Sequence, residues 1–214
     1  MDFNVAREKM VASQIRTSEV TDPLVVDAMS DVPREKFVPA DKQDFAYLDE
    51  DLSIGKGRFV MEPMIVARLI QLAELQATDS VLVIGSGTGY LAAVAARMAA
   101  SVIALESDSD LADGAAKTYA ELGIENVKVV VGDLQSGWTG PFDAVIVDGA
   151  VEVLPDEFRT QLKDGGRLAC VVRDGPVGRA TLITRAGDSY GSRQEFDAMT
   201  PCLPGFEKRA QFVF

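Results

Sequence analysis

Three glycines at alternate positions, Gly85, Gly87 and Gly89, are the residues whose spacing most directly implies a chemistry. They follow the apolar run Val81-Leu82-Val83-Ile84, which is too short for a free-standing helix and rich in β-branched side chains, so it reads as a buried parallel strand. Glycines at its end let the backbone turn sharply and approach a ligand. The apolar stretch Leu91 to Met98 then reads as a helix whose N-terminus faces that ligand. Strand, turn and helix together predict a nucleotide site made by Gly85, Ser86, Gly87, Thr88, Gly89 and Tyr90. A dinucleotide site wants G-x-G-x-x-G with a small final residue, and the bulky Tyr90 directly after G-x-G-x-G disfavours NAD. Glu106, followed by Ser107, stands about 20 residues beyond the first glycine, where a carboxylate accepts both ribose hydroxyls. Asp133, followed by Leu134, ends a later strand; its carboxylate can accept from an adenine amino group or simply cap a turn.

Composition narrows what such a site can do. The chain has 214 residues, 47% of them hydrophobic, enough for one domain with a small appendage. A net charge of -12, from 33 acids against 21 bases, opposes a polyanion, and no local basic patch offsets it, so nucleic acid is excluded and a protein or small-molecule partner expected. Cys170 and Cys202 make neither a disulfide framework nor a metal cluster. A polar start from Met1 to Lys9 and the lack of an apolar run of about 18 residues predict no signal peptide and no membrane span, hence a cytoplasmic protein. The chain contains no histidine, which removes the usual general base near neutral pH and a common zinc ligand, and so weakens triad hydrolases and zinc enzymes together.

The elements that must position these residues follow from periodicity. Residues 5–40 carry Val5, Met10, Val11 and Ile15 at helical spacing, then Thr21 or Asp22 as a cap ahead of Pro23 and a further stripe of Leu24, Val25, Ala28 and Met29. Ala40 to Gly57 reads as an irregular acidic loop, ending in the cations Lys56 and Arg58, which could hold an anionic group. Pro63 opens a helix over Met64 to Leu75. Beyond it strands at Val102 to Leu105, Val127 to Val131, Phe142 to Val147 and Leu168 to Val172 alternate with helices at Leu111 to Leu122 and Glu157 to Leu162. That alternation specifies an α/β fold, a doubly wound, mostly parallel sheet with helices on both faces, its ligand beyond the carboxyl ends of the strands. From Thr181 onward, apolar alternation through Phe196 and Phe212-Val213-Phe214 suits edge or antiparallel strands. The expected division is an N-terminal helical lid and loop over 1–62 and an α/β domain over 63–214, within one structural domain.

The G-x-G-x-G turn resembles motif I of methyltransferases that use S-adenosyl-L-methionine. From about residue 8 to about residue 175 the chain is similar to the protein-L-isoaspartate O-methyltransferase family, on Met10 to Arg16, Thr21-Asp22-Pro23, Val32 to Pro39 (V-P-R-E-K-F-V-P, the most specific), Ala46-Tyr47, Ile54 to Gly57, Pro63 to Arg68, Gly85 to Tyr90 and Asn126 to Asp133. The resemblance implies a Rossmann-like, seven-stranded methyltransferase fold and repair of damaged proteins. In that reaction an isoaspartyl carboxylate of a protein or peptide is methylated, S-adenosyl-L-homocysteine is the product, and Gly85 to Tyr90, Glu106, Ser107, Asp133 and Leu134 hold the cofactor. A carboxylate acceptor is already ionised at neutral pH, so the reaction needs positioning and a dry cavity rather than a strong base, in keeping with a chain that lacks histidine.

The chain departs from the family pattern around the acceptor. The family loop, approximately G-H-G-Q-T-I-S-Q-P, is Gly55-Lys56-Gly57-Arg58-Phe59-Val60-Met61-Glu62-Pro63, so the serine implicated in catalysis falls on Met61 and the threonine on Phe59. A motif I acid falls on Val83, and the family's V-T-A-A is Val147-Asp148-Gly149-Ala150. No catalytic side chain is therefore assigned. Lys56, Arg58, Phe59, Val60, Met61 and Asp148 are expected on the acceptor side, with Lys56 or Arg58 replacing the lost polar contacts. Two alternatives stand beside isoaspartyl methylation: a methyltransferase of this fold with another acceptor, and a non-catalytic binding protein.

Overall fold

The computed structural model describes residues 1–208. Asp2 caps α1 (Phe3–Met10) by accepting from Asn4 and Val5 N–H, and the helix runs on into a π-helical turn, Val11–Ile15. Asp22 caps α2 (Pro23–Asp31), with Pro23 in the first turn where its missing N–H is harmless. The buried faces of these helices, Met10, Ile15, Val25 and Met29, share one hydrophobic cluster with Ile65, Leu69 and Leu91 of the following elements.

Residues 40–57 are more ordered than an irregular loop. A 3-10 turn over Ala40–Phe45 leads into β1 (Leu52–Gly55), which pairs antiparallel with β2 (Arg58–Val60) as a ribbon separate from the main sheet. Leu52, Ile54 and Val60 point inward, a period-two pattern too short to stand out in the sequence. The glycines that suggested a flexible loop are the hairpin turn itself, with positive φ at Gly55, Lys56 and Gly57.

The ribbon feeds α3 (Pro63–Ala73), then β3 (Ser80–Ile84), α4 (Tyr90–Ala96), β4 (Ser101–Glu106), α5 (Ser109–Glu121), β5 (Val127–Val131), β6 (Phe142–Val151), α6 (Asp156–Thr160), β7 (Leu162–Asp174), β8 (Val177–Ala186) and β9 (Ser189–Asp197). Among the described residues the main sheet has seven strands in the order β5-β4-β3-β6-β7-β8-β9. Pairing is parallel from β5 through β7 and antiparallel for β7-β8 and β8-β9. This is the doubly wound, mostly parallel sheet that the βα alternation predicts, with the antiparallel strands gathered at one edge. Phe212, Val213 and Phe214, also expected in that region, lie outside the described residues.

The chain steps from β3 outward to β4 and β5, then returns to place β6 on the other side of β3. The switch point therefore falls between the carboxyl ends of β3 and β6, at Gly85 and Asp148, where open α/β sheets take their ligands. Helix α4 is buried along its whole length, from Tyr90 to Ala96, because the N-terminal helices cover the face that the sheet does not. No helix among the described residues is long and apolar enough to cross a membrane.

Candidate active site

The turn after β3 is held by the strand beside it. Gly85 and Ser86 N–H both donate to Leu105 O at 2.9 and 3.0 Å, and Gly89 N–H closes the turn on Ser86 O at 2.8 Å. Gly85, Gly87 and Gly89 have φ of 77, 54 and 99°, left-handed values that side-chain-bearing residues adopt at a cost. Glu106, at the end of β4, is fully buried, and its Oε2 accepts from Gly87 N–H at 2.7 Å. Its Oε1 accepts from Ser107 N–H at 2.8 Å and Asp108 N–H at 3.1 Å. The acid thus stands at the strand end facing the Gly-rich turn, where the spacing puts it.

A cation reaches this acid from β2. Arg58 is 4% exposed; its Nη1 donates to Glu106 Oε1 at 2.6 Å and its Nη2 to Gly85 O at 2.5 Å. The sequence places Arg58 on the acceptor side, whereas here it spans the acid and the first glycine of the turn. Lys56, two residues earlier, is not brought to the same place. Its ammonium lies at the surface between Asp108, at 2.6 and 2.8 Å, and Asp110, at 2.7 Å.

The remaining turn residues face inward. Thr88 Oγ1 donates to Phe37 O at 2.5 Å, Tyr119 OH donates to Gly89 O at 2.9 Å, and the Ser86 hydroxyl is buried without a hydrogen-bond partner among the described residues. The Tyr90 ring lies under the Arg34 guanidinium, 4.8 Å from its centroid, and tilts against Phe37. Burial pushes the Tyr90 hydroxyl up to about 12, so it stays protonated. Asp133 caps its own loop, accepting from Ser136 Oγ at 2.6 Å and from Gln135 N–H at 3.3 Å, and Leu134 packs into the core on the other face of the sheet.

Of the six residues expected on the acceptor side, Arg58, Phe59, Met61 and Asp148 share a cavity wall, and Lys56 and Val60 do not. Gly57, Arg58, Phe59, Met61, Asp148, Gly149, Thr200, Pro201, Cys202 and Leu203 enclose a cavity of about 10 Å³, room for roughly one water molecule. Met61 is 1% exposed and its carbonyl accepts from Arg34 Nη2 at 2.7 Å; Val60 is also buried, against Leu52 in the ribbon. Asp148 sits where the β6-β7 register breaks between Ile146 and Ala150. Burial, opposed mainly by the nearby Arg58 charge, pushes its carboxyl up to about 8, so it is largely protonated at neutral pH. Glu62, beside Asp49 and Asp51, is likewise raised to about 7, chiefly by burial.

Sequence reasoning missed three contributors. Arg34 is fully buried; its Nε donates to Ala46 O at 2.6 Å, and desolvation lowers its pKa. Its place in V-P-R-E-K-F-V-P was the available signal. Tyr119 reaches the turn from α5, and no local pattern could have shown it. Leu203 belongs to a strap after β9 in which Ala150 N–H donates to Pro201 O at 3.0 Å and Leu203 N–H to Ala150 O at 2.8 Å. A Pro-Cys-Leu-Pro segment carries no sign that it returns over β6.

Known proteins similar to this chain over most of its length carry a common description. The family model "Protein-L-isoaspartate(D-aspartate) O-methyltransferase" matches residues 5–199. The chain is 45% identical over 186 residues to protein-L-isoaspartate O-methyltransferase 1 of Rhodopseudomonas palustris, covering 86% of this chain and 76% of that one. It is 38% identical over 208 residues to the protein of that name from Methylorubrum populi, covering 94% and 97%. Among solved structures, a protein-L-isoaspartate O-methyltransferase superposes with a TM-score of 0.82 at 26% identity, covering 93% of this chain and 66% of that one. A Plasmodium falciparum structure described as a complex with S-adenosyl-L-homocysteine shares the fold, with a TM-score of 0.78 at 22% identity over 92% and 97% of the two chains.

Proposed function

The chain belongs to the protein-L-isoaspartate(D-aspartate) O-methyltransferase family, and on that premise we propose that it methylates a carboxylate of a protein or peptide, the isoaspartyl group being the acceptor. The family takes its methyl group from S-adenosyl-L-methionine. The observation that carries the reading is the Gly85 to Gly89 turn with a buried acid locked to it through Gly87 N–H, at the switch point of the sheet.

Asp148 fits an anionic acceptor for a reason the sequence conceals. An ionised carboxylate in the cavity wall would repel an incoming one, but a carboxyl held protonated by burial can donate a hydrogen bond to it. Arg34, buried behind Met61, adds a fixed positive charge whose field reaches Asp148. Neither group has to remove a proton from the acceptor, in keeping with a chain that contains no histidine.

A different acceptor is the second reading. It is favoured by Met61, whose buried apolar side chain stands where the resemblance places a serine. One assay separates the two: incubation with labelled S-adenosyl-L-methionine and paired peptides that differ only in an isoaspartyl or an aspartyl residue. Label on the isoaspartyl peptide alone supports the first reading; equal or absent label on both sinks it.

The donor does not fit the site in this structure. The space before Gly85 and Gly149 is filled by Leu203 and Arg58, and the adjoining cavity of about 10 Å³ is far from the roughly 300 Å³ that small-molecule sites provide.

A further inference from the structure

We propose that the donor site is closed from within: Arg58 occupies the Glu106 carboxylate, Leu203 covers Gly85 and Gly149, and both withdraw before an adenosyl cofactor seats. This rests on the methyltransferase reading. The first ground is hydrogen-bond accounting. A carboxylate offers about four lone-pair sites, and Glu106 already accepts from the N–H groups of Gly87, Ser107 and Asp108, from the Ser107 hydroxyl at 3.2 Å and from Arg58 Nη1. A ribose diol must displace one of these donors, and the guanidinium is the one borne on a side chain from another element.

The second ground is steric. A Cβ built on Gly85 would stand 2.9 Å from Leu203 Cδ1 and 3.1 Å from Arg58 Nη2, and one on Gly149 would stand 2.8 Å from Leu203 Cδ2. The glycine faces that let a ligand approach the backbone are thus already in contact with the chain itself. Ile54 Cδ1 stands 3.0 Å from the corresponding point at Gly87, so the ribbon covers the turn at a second place.

The cover is also separable from what it covers. Arg58 and Ile54 lie on a two-stranded ribbon that shares no ladder with the main sheet. Leu203 lies on a strap that shares no strand ladder with the sheet among the described residues: it meets β6 at the Ala150 to Cys202 bridge, through backbone bonds at Ala150, and through Glu152 and Val153 N–H on Phe206 O, with Leu203 between these two attachments. Arg58 Nε is buried without a partner among the described residues, so the closed arrangement leaves a donor unsatisfied that solvent would satisfy on opening. Such a closure reduces apparent affinity by the open fraction, about 100-fold when about 1% of molecules are open.

The test is calorimetric titration of the full chain with S-adenosyl-L-homocysteine, comparing wild type with Arg58→Ala, Leu203→Ala and the double variant. Leu203→Ala leaves the buried ion pair intact, so it remains informative if Arg58→Ala fails to fold. Closure predicts that Leu203→Ala binds at least about tenfold, and the double variant about 100-fold, more tightly than wild type. Wild-type binding within about threefold of every variant would overturn the inference, and so would binding by none of them. Variants that bind tightly yet methylate no isoaspartyl peptide would leave closure standing and sink the methyltransferase reading instead.

Discussion

Beneath the Gly85 to Gly89 turn the backbone is tied to the neighbouring strand, whereas above it the contacts are made by side chains that arrive from distant parts of the chain. The floor consists of β3 and β4 in parallel register, Gly85 and Ser86 N–H on Leu105 O, and Gly87 N–H on Glu106. The cover consists of Arg58 from a detached ribbon and Leu203 from a strap that follows β9. A floor of sheet ladder opens only with the whole domain, while a cover held by one ion pair and a few backbone bonds of a short strap can open locally. One site can therefore be rigid in its ligand-facing backbone and variable in its accessibility.

Floor and cover are joined most directly by the Arg58–Glu106 ion pair. Arg58→Ala leaves Glu106 buried without its cation, and removing one partner of a buried pair costs about 3–5 kcal/mol. The three backbone N–H groups that remain on Glu106 argue for the lower end of that range. Urea unfolding should show this loss, and adding Glu106→Gln to Arg58→Ala should recover part of it, because no buried charge is then left unpaired. If the double variant loses the sum of the two single effects, cover and floor are not coupled through this pair. Leu203→Ala follows, at about 2–3 kcal/mol for a buried leucine whose neighbours collapse only partly. A loss well below this would mean that the strap rests on the floor without packing against it.

The floor was legible in the sequence and the cover was not. Val81 to Ile84, the alternate glycines and Glu106 lie close together in the chain, and strand, turn and acid each follow from local sterics and period. The doubly wound order follows from the same alternation. Arg58 shows in the sequence as a cation, but its destination depends on a ribbon whose inward residues, Leu52, Ile54 and Val60, are too few for a period to declare itself. Leu203 had no signal at all, since what places it is the return of the strap to Ala150, and that contact spans the two antiparallel edge strands. The sequence shows Asp148 only as a carboxylate; its protonation is a consequence of burial, which a sequence does not display.

That protonation sharpens the comparison through pH. Asp148 has its folded pKa raised from an ordinary 3.8 to about 8, so the folded state holds a proton that the unfolded chain has released. The stability this confers is fully present below the unfolded value and is lost as pH rises through about 8. Between about pH 7 and about pH 9 the loss should be about 1 kcal/mol, and Asp148→Asn should flatten that slope in thermal unfolding. If the slope persists in the variant, Asp148 is ionised in the folded protein and the cavity wall beside Met61 carries a negative charge.

Lys56 supplies the smallest effect and the cleanest control. It belongs to the same ribbon as Arg58, two positions away, and it too reaches acids that follow β4, at 2.6 Å to Asp108 and 2.7 Å to Asp110. Its side chain is 48% exposed where that of Arg58 is 4% exposed, so water and salt screen its attraction while its long side chain loses freedom in making it. Lys56→Ala should accordingly shift the melting temperature little, and raised salt should remove what shift there is. It should also leave S-adenosyl-L-homocysteine affinity near the wild-type value, because the ribbon would still be held down by Arg58. A gain in affinity as large as that of Leu203→Ala would move the latch from the buried guanidinium to the hairpin tip, and the cover would then be governed by ionic strength.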